Sequence, residues 1–239
     1  MTNILADISL NKAAKIAGIG YVIIFVLGIF ANFFIFTGLI VKGDAAATAN
    51  NILANTTLFR TGIASWIIVL IFDIIIAWAL YIFLKPVNKN LSLLTAWFRL
   101  VYVAIFGITQ LNLIFVLILL SGADFLSFFN TNQLQALALL FLDGHNYGFL
   151  IGLVFFGIHL FLISYLILKS GYIPKILGIL LILSALGYLL DSFANFLLPN
   201  YADYQTIFLL LVAVPGIVGE LSLTLWLLIK GTKVQPVTA

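Results

Sequence analysis

The chain contains no cysteine. That excludes disulfides, thiolate metal sites and cysteine nucleophiles, and leaves the redox compartment open. Charge is scarce too. Asp, Glu, Lys and Arg make up 8% of the 239 residues, against about 25% in soluble proteins. Histidine occurs twice. There is no HExxH, no Walker loop and no GxGxxG, and Ser65 and Ser184 lack an adjacent base in any recognisable motif. What is abundant is apolar: 64% of the residues are hydrophobic, 22 of them Phe. No soluble fold of this size hides so much apolar surface, so the solvent must be lipid. The net charge of +3 comes from basic residues scattered singly between apolar runs. That is the pattern of membrane topology signals rather than of a phosphate-binding patch, so nucleic acid is not an expected partner.

A membrane-spanning helix needs about 20 mostly apolar residues. Six runs qualify, at 16–41, 61–84, 96–121, 147–168, 174–197 and 206–229. The expected fold is all-α: one transmembrane domain, a polytopic bundle of six helices. The apolar stretch 134–142 is too short to span. It reads as an interfacial or re-entrant helix ending at the break Asp143-Gly144-His145-Asn146. The first run is too long for the apolar region of a signal peptide, about 7–15 residues, so it is expected to be retained. Nine basic residues (Lys12, Lys15, Lys85, Lys89, Arg99, Lys169, Lys175, Lys230 and Lys233) flank the helices on one side, against Lys42 and Arg60 on the other. This bias places both termini in the cytoplasm. The loops 43–60 and 122–146 then lie outside, and the short inner turns carry Pro86 and Pro174.

Ionisable side chains within a membrane are costly and call for a partner or a function. Each expected helix nevertheless holds deep polar residues: Asn32; Asp73; Gln110 with Asn112; His159; Asp191 with Asn195; and Glu220. At 1.5 Å per residue, Asp73 lies about 18 Å in from Lys85, and His159 and Glu220 about 15 Å in from Lys169 and Lys230. They share a layer near the middle of a slab about 30 Å thick. Ser184, Tyr188, Asp191 and Asn195 form a stripe on helix five; His145, Gly148, Gly152 and His159 form another on helix four. Tyr21, Gly28 and Asn32 align on the first helix. The glycines allow close approach, so these stripes are expected to face other helices. Pro215 frees a backbone carbonyl in the last helix, either as a plain kink or as a cation ligand beside Glu220.

Asp73, Glu220 and His159 cannot all be charged and unpaired. A His159–carboxylate pair, a protonated carboxyl or a bound cation would resolve this, and packing glue is the structural alternative. His145, Asp143, Asp191 and Asn195 are candidates for an outer mouth; His145 reads equally as a solvated residue at a helix start. Arg60 is a candidate for pairing with Asp44, for binding an anionic headgroup or for a snorkelling anchor. Haem between His145 and His159 would need partner histidines from another helix, which the chain lacks. No cofactor is evident, and metal binding is left open.

The segments GDAAATANNILA with LFR, LYIFLKPVN, LQALALLFLDGHNYGFLIGLVFFGIHL, YLILKSGYIPKILGILL with GYLLDSF, and GELSLTLWLLIKG span the chain from Lys15 to Gly231. They resemble domain-of-unknown-function family 4386, a group of bacterial multi-pass membrane proteins. The resemblance implies a prokaryotic inner-membrane protein of this length and helix count, and brings no activity, substrate or cofactor.

Three functions remain in view. The leading one is binding or transport of a proton, cation or small polar ligand through a polar seam open to the outer face. An intramembrane enzyme acting on lipid, in a metal-dependent form or not, is the second. A structural or accessory subunit is the third. The lipid bilayer is the expected partner, and a homo-oligomer is left open.

Overall fold

The computed structural model describes residues 8–233, and every regular element among them is helical. Helix α1 (Leu10–Leu39) starts earlier than the apolar run suggests. The Lys12 amide donates to Ser9 Oγ at 3.3 Å, an N-cap that recruits the polar residues before the run. Within it, Phe30–Phe36 is π-helical, followed by an α-helical turn at Thr37–Leu39. The Thr37 hydroxyl donates to Asn32 O at 2.8 Å there. A π turn takes an extra residue and rotates everything beyond it. Asn32, aligned with Tyr21 by α-helical spacing, is therefore exposed, whereas Tyr21 is buried.

Helix α2 (Ala45–Ala54) occupies much of the expected outer loop. Asp44 caps it, accepting from the Ala47 amide at 2.8 Å. Thr48 Oγ1 ties it to Val41, accepting from the amide at 2.9 Å and donating to the carbonyl at 3.1 Å. Helix α3 covers Thr56–Leu84. Helix α4 spans Lys89–Leu119, opening at Asn88, whose Oδ1 accepts from the Leu91 amide at 2.9 Å. The helix therefore starts seven residues before the expected 96, which moves Arg99 deeper into it.

Helix α5 is a single run, Thr131–Ser170. Its start is a reciprocal cap: the Gln133 amide donates to Asn130 Oδ1 at 3.0 Å and the Asn130 amide to Gln133 Oε1 at 2.9 Å. The stretch 134–142, expected as a separate interfacial or re-entrant helix, is part of α5, and no break occurs at 143–146. A helical glycine costs only about 1 kcal/mol. Gly144 also fits a close contact: a Cβ there would lie 3.2 Å from Asn112 Oδ1. Helices α6 (Lys175–Leu197) and α7 (Tyr201–Ile229) complete the set. In the α5–α6 connection Tyr172 donates to Phe83 O at 2.7 Å, and burial raises its phenol above the ordinary range.

Helices α1, α3, α4, α5, α6 and α7 are each long and apolar enough to cross a membrane. The chain forms two compact units. The first takes the chain up to Val22, Phe72–Tyr102 and everything from Leu153 on. The second takes Ile23–Ile71 and Val103–Gly152. The core of the second unit is aliphatic and aromatic, built from residues such as Ile35, Phe59, Leu113 and Leu142. In the first unit α6 and α7 pack through glycines. A Cβ on Gly219 would lie 3.1 Å from Leu180 O, and one on Gly187 would strike the Leu211 carbonyl. Small residues let backbones approach where lipid supplies no hydrophobic drive for association.

Candidate functional site

Arg99 organises the polar interior of the first unit. It lies ten residues into α4, about 15 Å along the axis. Its residual exposure is 1%. A helix start at 96 would place it at the cytoplasmic mouth, as a topology signal. With the start at Lys89 it falls in the same layer as Asp73, His159 and Glu220. Its Nε donates to Asp73 Oδ1 at 2.9 Å, and Nη2 reaches the same oxygen. Its Nη1 donates to the Tyr21 hydroxyl at 2.8 Å and lies 3.2 Å from His159 Nε2. Arg99 Cζ also stands 5.0 Å from the Tyr21 ring centre and 5.4 Å from that of Phe156.

The tautomer of His159 follows from its partners. Nδ1 lies 2.8 Å from Thr95 O. A carbonyl oxygen only accepts, so Nδ1 carries the proton and Nε2 accepts from the guanidinium. The ring is neutral and both nitrogens are engaged. Asp73, expected to pair with His159 or to be protonated, is held instead by Arg99. The pair forms the salt bridge found among the described residues. A buried carboxylate and guanidinium with several hydrogen bonds satisfy one another without a further ion.

Glu220 is placed differently. Tyr188 donates to its Oε1 at 2.9 Å. Arg99 and Asp73 are within electrostatic reach, but no cation forms a salt bridge with Glu220 among the described residues. Around it the stripe on α6 faces α7. Ser184 Oγ donates to Pro215 O at 2.7 Å, and Tyr188 meets Glu220. Asp191 Oδ1 accepts from the Tyr201 hydroxyl at 2.6 Å, and Asn195 is also a hydrogen-bond partner of Tyr201. The carbonyl freed by Pro215 is that of Leu211, four residues back. It packs on Gly187 and stands nine residues from Glu220, so it is not the ligand beside Glu220 that the proline suggested.

The remaining candidates lie in the second unit. His145 Nε2 is 3.3 Å from Gln110 Nε2, and its ring stacks on Phe36 at 6.3 Å. Asp44, Arg60 and Asp143 are exposed, and Arg60 forms no salt bridge among the described residues. No three His, Asp or Glu side chains among the described residues converge in a way that would hold a metal ion.

Six apolar helices with ionisable groups buried at mid-depth define a multi-pass membrane protein. Residues 16–231 match the family described as Domain of unknown function (DUF4386), and the chain belongs to it. A relative from Archaeoglobus fulgidus, described as an uncharacterized protein, is 35% identical over 172 residues, covering 72% of this chain and 85% of the relative. No solved structure matches.

Proposed function

We propose that this membrane protein binds a proton or small cation at Glu220 and serves in its binding or transport from the outer face. The observation that carries this reading is the division of labour in the polar layer. Arg99 is neutralised by Asp73, while among the described residues the Glu220 carboxyl has only the Tyr188 hydroxyl as hydrogen-bond partner. An ionised carboxylate at that depth needs a positive partner, and a neutral one needs a proton. The line Asp191, Tyr188, Ser184 along the α6–α7 contact supports a polar approach to Glu220 from the Asp191 end. Asp73, Arg99, His159 and Tyr21 are a structural clip in this reading, because their hydrogen bonds are made to one another and to the Thr95 carbonyl.

Difference infrared spectroscopy during a pH or sodium titration tests it, using protein in lipid. Wild type should show a carboxyl band that responds, and Glu220→Gln should lose that band while staying monodisperse. Identical spectra for the two proteins would sink the proposal.

We also propose that both termini face the cytoplasm of a cell with a single inner membrane barrier. Without Arg99 the basic residues still divide eight to two between the sides. The cysteine-free chain makes the check simple. A membrane-impermeant thiol reagent on intact cells should label Asp44→Cys and spare Lys233→Cys; the reverse pattern inverts the topology.

A further inference from the structure

In the second unit every charged side chain, namely Lys42, Asp44, Arg60, Asp124 and Asp143, is exposed. Its buried side-chain atoms without a hydrogen-bond partner among the described residues, Gln110 Oε1 and Trp66 Nε1, belong to neutral groups. The buried acid without a salt bridge among the described residues is Glu220, in the first unit. Its immediate surroundings decide what kind of cation it can take.

A metal ion and a proton make different demands. A hard metal ion is held by several oxygen atoms whose lone pairs converge on it. A proton needs one oxygen and no cavity. Around Glu220 the oxygens are already committed. The Tyr188 hydroxyl donates to Oε1 at 2.9 Å, so its hydrogen, and not a lone pair, faces the carboxyl. Ser184, one turn earlier on α6, donates toward Leu180 O at 3.0 Å and Pro215 O at 2.7 Å. Thr224 Oγ1 is turned to the Glu220 carbonyl, to which it donates at 2.7 Å. Helix α7 is unbroken from Tyr201 to Ile229. It therefore presents none of the unwound carbonyls that ligate cations in discontinuous helices. The carbonyl freed by Pro215 packs on Gly187.

The contact between α6 and α7 is also tight at this level. A Cβ on Gly216 would lie 3.1 Å from the Tyr188 hydroxyl, and one on Gly219 would lie 2.6 Å from Ser184 Oγ. Gly216 thus lets the phenol reach the carboxyl that stands four residues further along α7. The ionisable groups within electrostatic reach of Glu220 are Tyr188 from α6, Tyr21 from α1, Arg99 and Tyr102 from α4, and Asp73 from α3. Arg99 and Asp73 offset one another, so the charge left to satisfy is that of Glu220 itself.

We propose that the ligand of Glu220 is a proton and not a metal cation, and that Gly216 is a positioning residue that seats the Tyr188 hydroxyl on the carboxyl. The assignment rests on Glu220 being the binding group, and narrows that reading to one ligand. Tyr188 serves both states of the site. It donates to Oε1 of the ionised carboxylate, and it goes on donating there when the proton sits on Oε2.

The test follows the infrared band of the protonated carboxyl as pH is varied, with full-length protein in lipid. It is run in low and in high sodium, with choline holding ionic strength constant. In wild type the band should appear at the same pH in both. Competition by sodium would displace that pH by up to about two units for a roughly hundredfold rise in sodium. Such a displacement overturns proton selectivity while leaving Glu220 as a cation site. A band that ignores pH, or that survives in Glu220→Gln, overturns this assignment together with the Glu220 reading. Tyr188→Phe and Gly216→Ala should each move the band to higher wavenumber, because the carboxyl C=O loses its donor. A merely structural role for Gly216 would leave that frequency in place, so an unchanged band in Gly216→Ala overturns its positioning role. Should Gly216→Ala fail to fold, Tyr188→Phe and the wild-type sodium comparison still decide.

Discussion

In the first unit a guanidinium and a carboxylate are buried together, and their charges cancel. In the second, all ionised side chains stay at the surface, and the interior polar groups are an amide, an indole and an imidazole. The first arrangement binds helices strongly but leaves little freedom, because each partner is needed by the others. The second costs less to build and leaves hydrogen-bonding capacity unused. Buried charge here is a packing device, while the buried neutral groups of the second unit are not all paired. Glu220 is the exception within the first unit, an acid beside a clip that does not neutralise it.

Substitutions can break this contrast, and the largest effect is expected at Arg99. Arg99→Met strands Asp73 and should destabilise the protein by about 3–5 kcal/mol. Arg99→Met with Asp73→Leu should recover most of that loss, since an apolar pair can replace a buried ion pair. Equilibrium unfolding in mixed micelles reads both, and a harmless single variant would mean that charge pairing does not hold the first unit together. Next come paired glycine changes. Gly187→Ala drives a methyl group into the Leu211 backbone and should cost about 1–3 kcal/mol. Gly107→Ala, in the second unit, meets only Leu70 Cδ1 at 3.7 Å. It should be neutral or stabilising by up to about 1 kcal/mol. Equal costs at the two positions would remove the distinction in packing. The smallest effect is expected for Tyr201→Phe, which deletes the half-exposed hydrogen bond to Asp191 and should shift stability by less than about 1 kcal/mol.

Much of this was legible from spacing. Counting inward from Lys85, Lys169 and Lys230 put Asp73, His159 and Glu220 at one depth, and the i, i+4, i+7 pattern put Ser184, Tyr188 and Asp191 on one face. That face meets α7. Arg99 escaped because hydropathy marks where a helix becomes apolar, not where its backbone starts. Seven polar and mixed residues from Lys89 to Thr95 precede the apolar run, and Asn88 was the available signal as an N-cap. Two further features lay beyond any periodic reading. The π turns of α1 displaced Asn32, and a glycine that usually marks a break sits at 144 inside a continuous helix because Asn112 comes close to it. The unmet atoms of Trp66 and Gln110 depend on side-chain geometry that composition does not encode.

The α6–α7 pair has a bearing on biogenesis. Ser184, Tyr188 and Asp191 find their partners within residues 175–229, on the helix that follows in the chain. A nascent hairpin can therefore enter lipid with these polar groups already quenched, each helix shielding the other's. Arg99 has no such local option: its partners come from α1, α3 and α5. Insertion of α4 must wait on long-range assembly, so a stalled or truncated chain should be vulnerable at that helix to membrane quality-control proteases, while the terminal hairpin can form on its own.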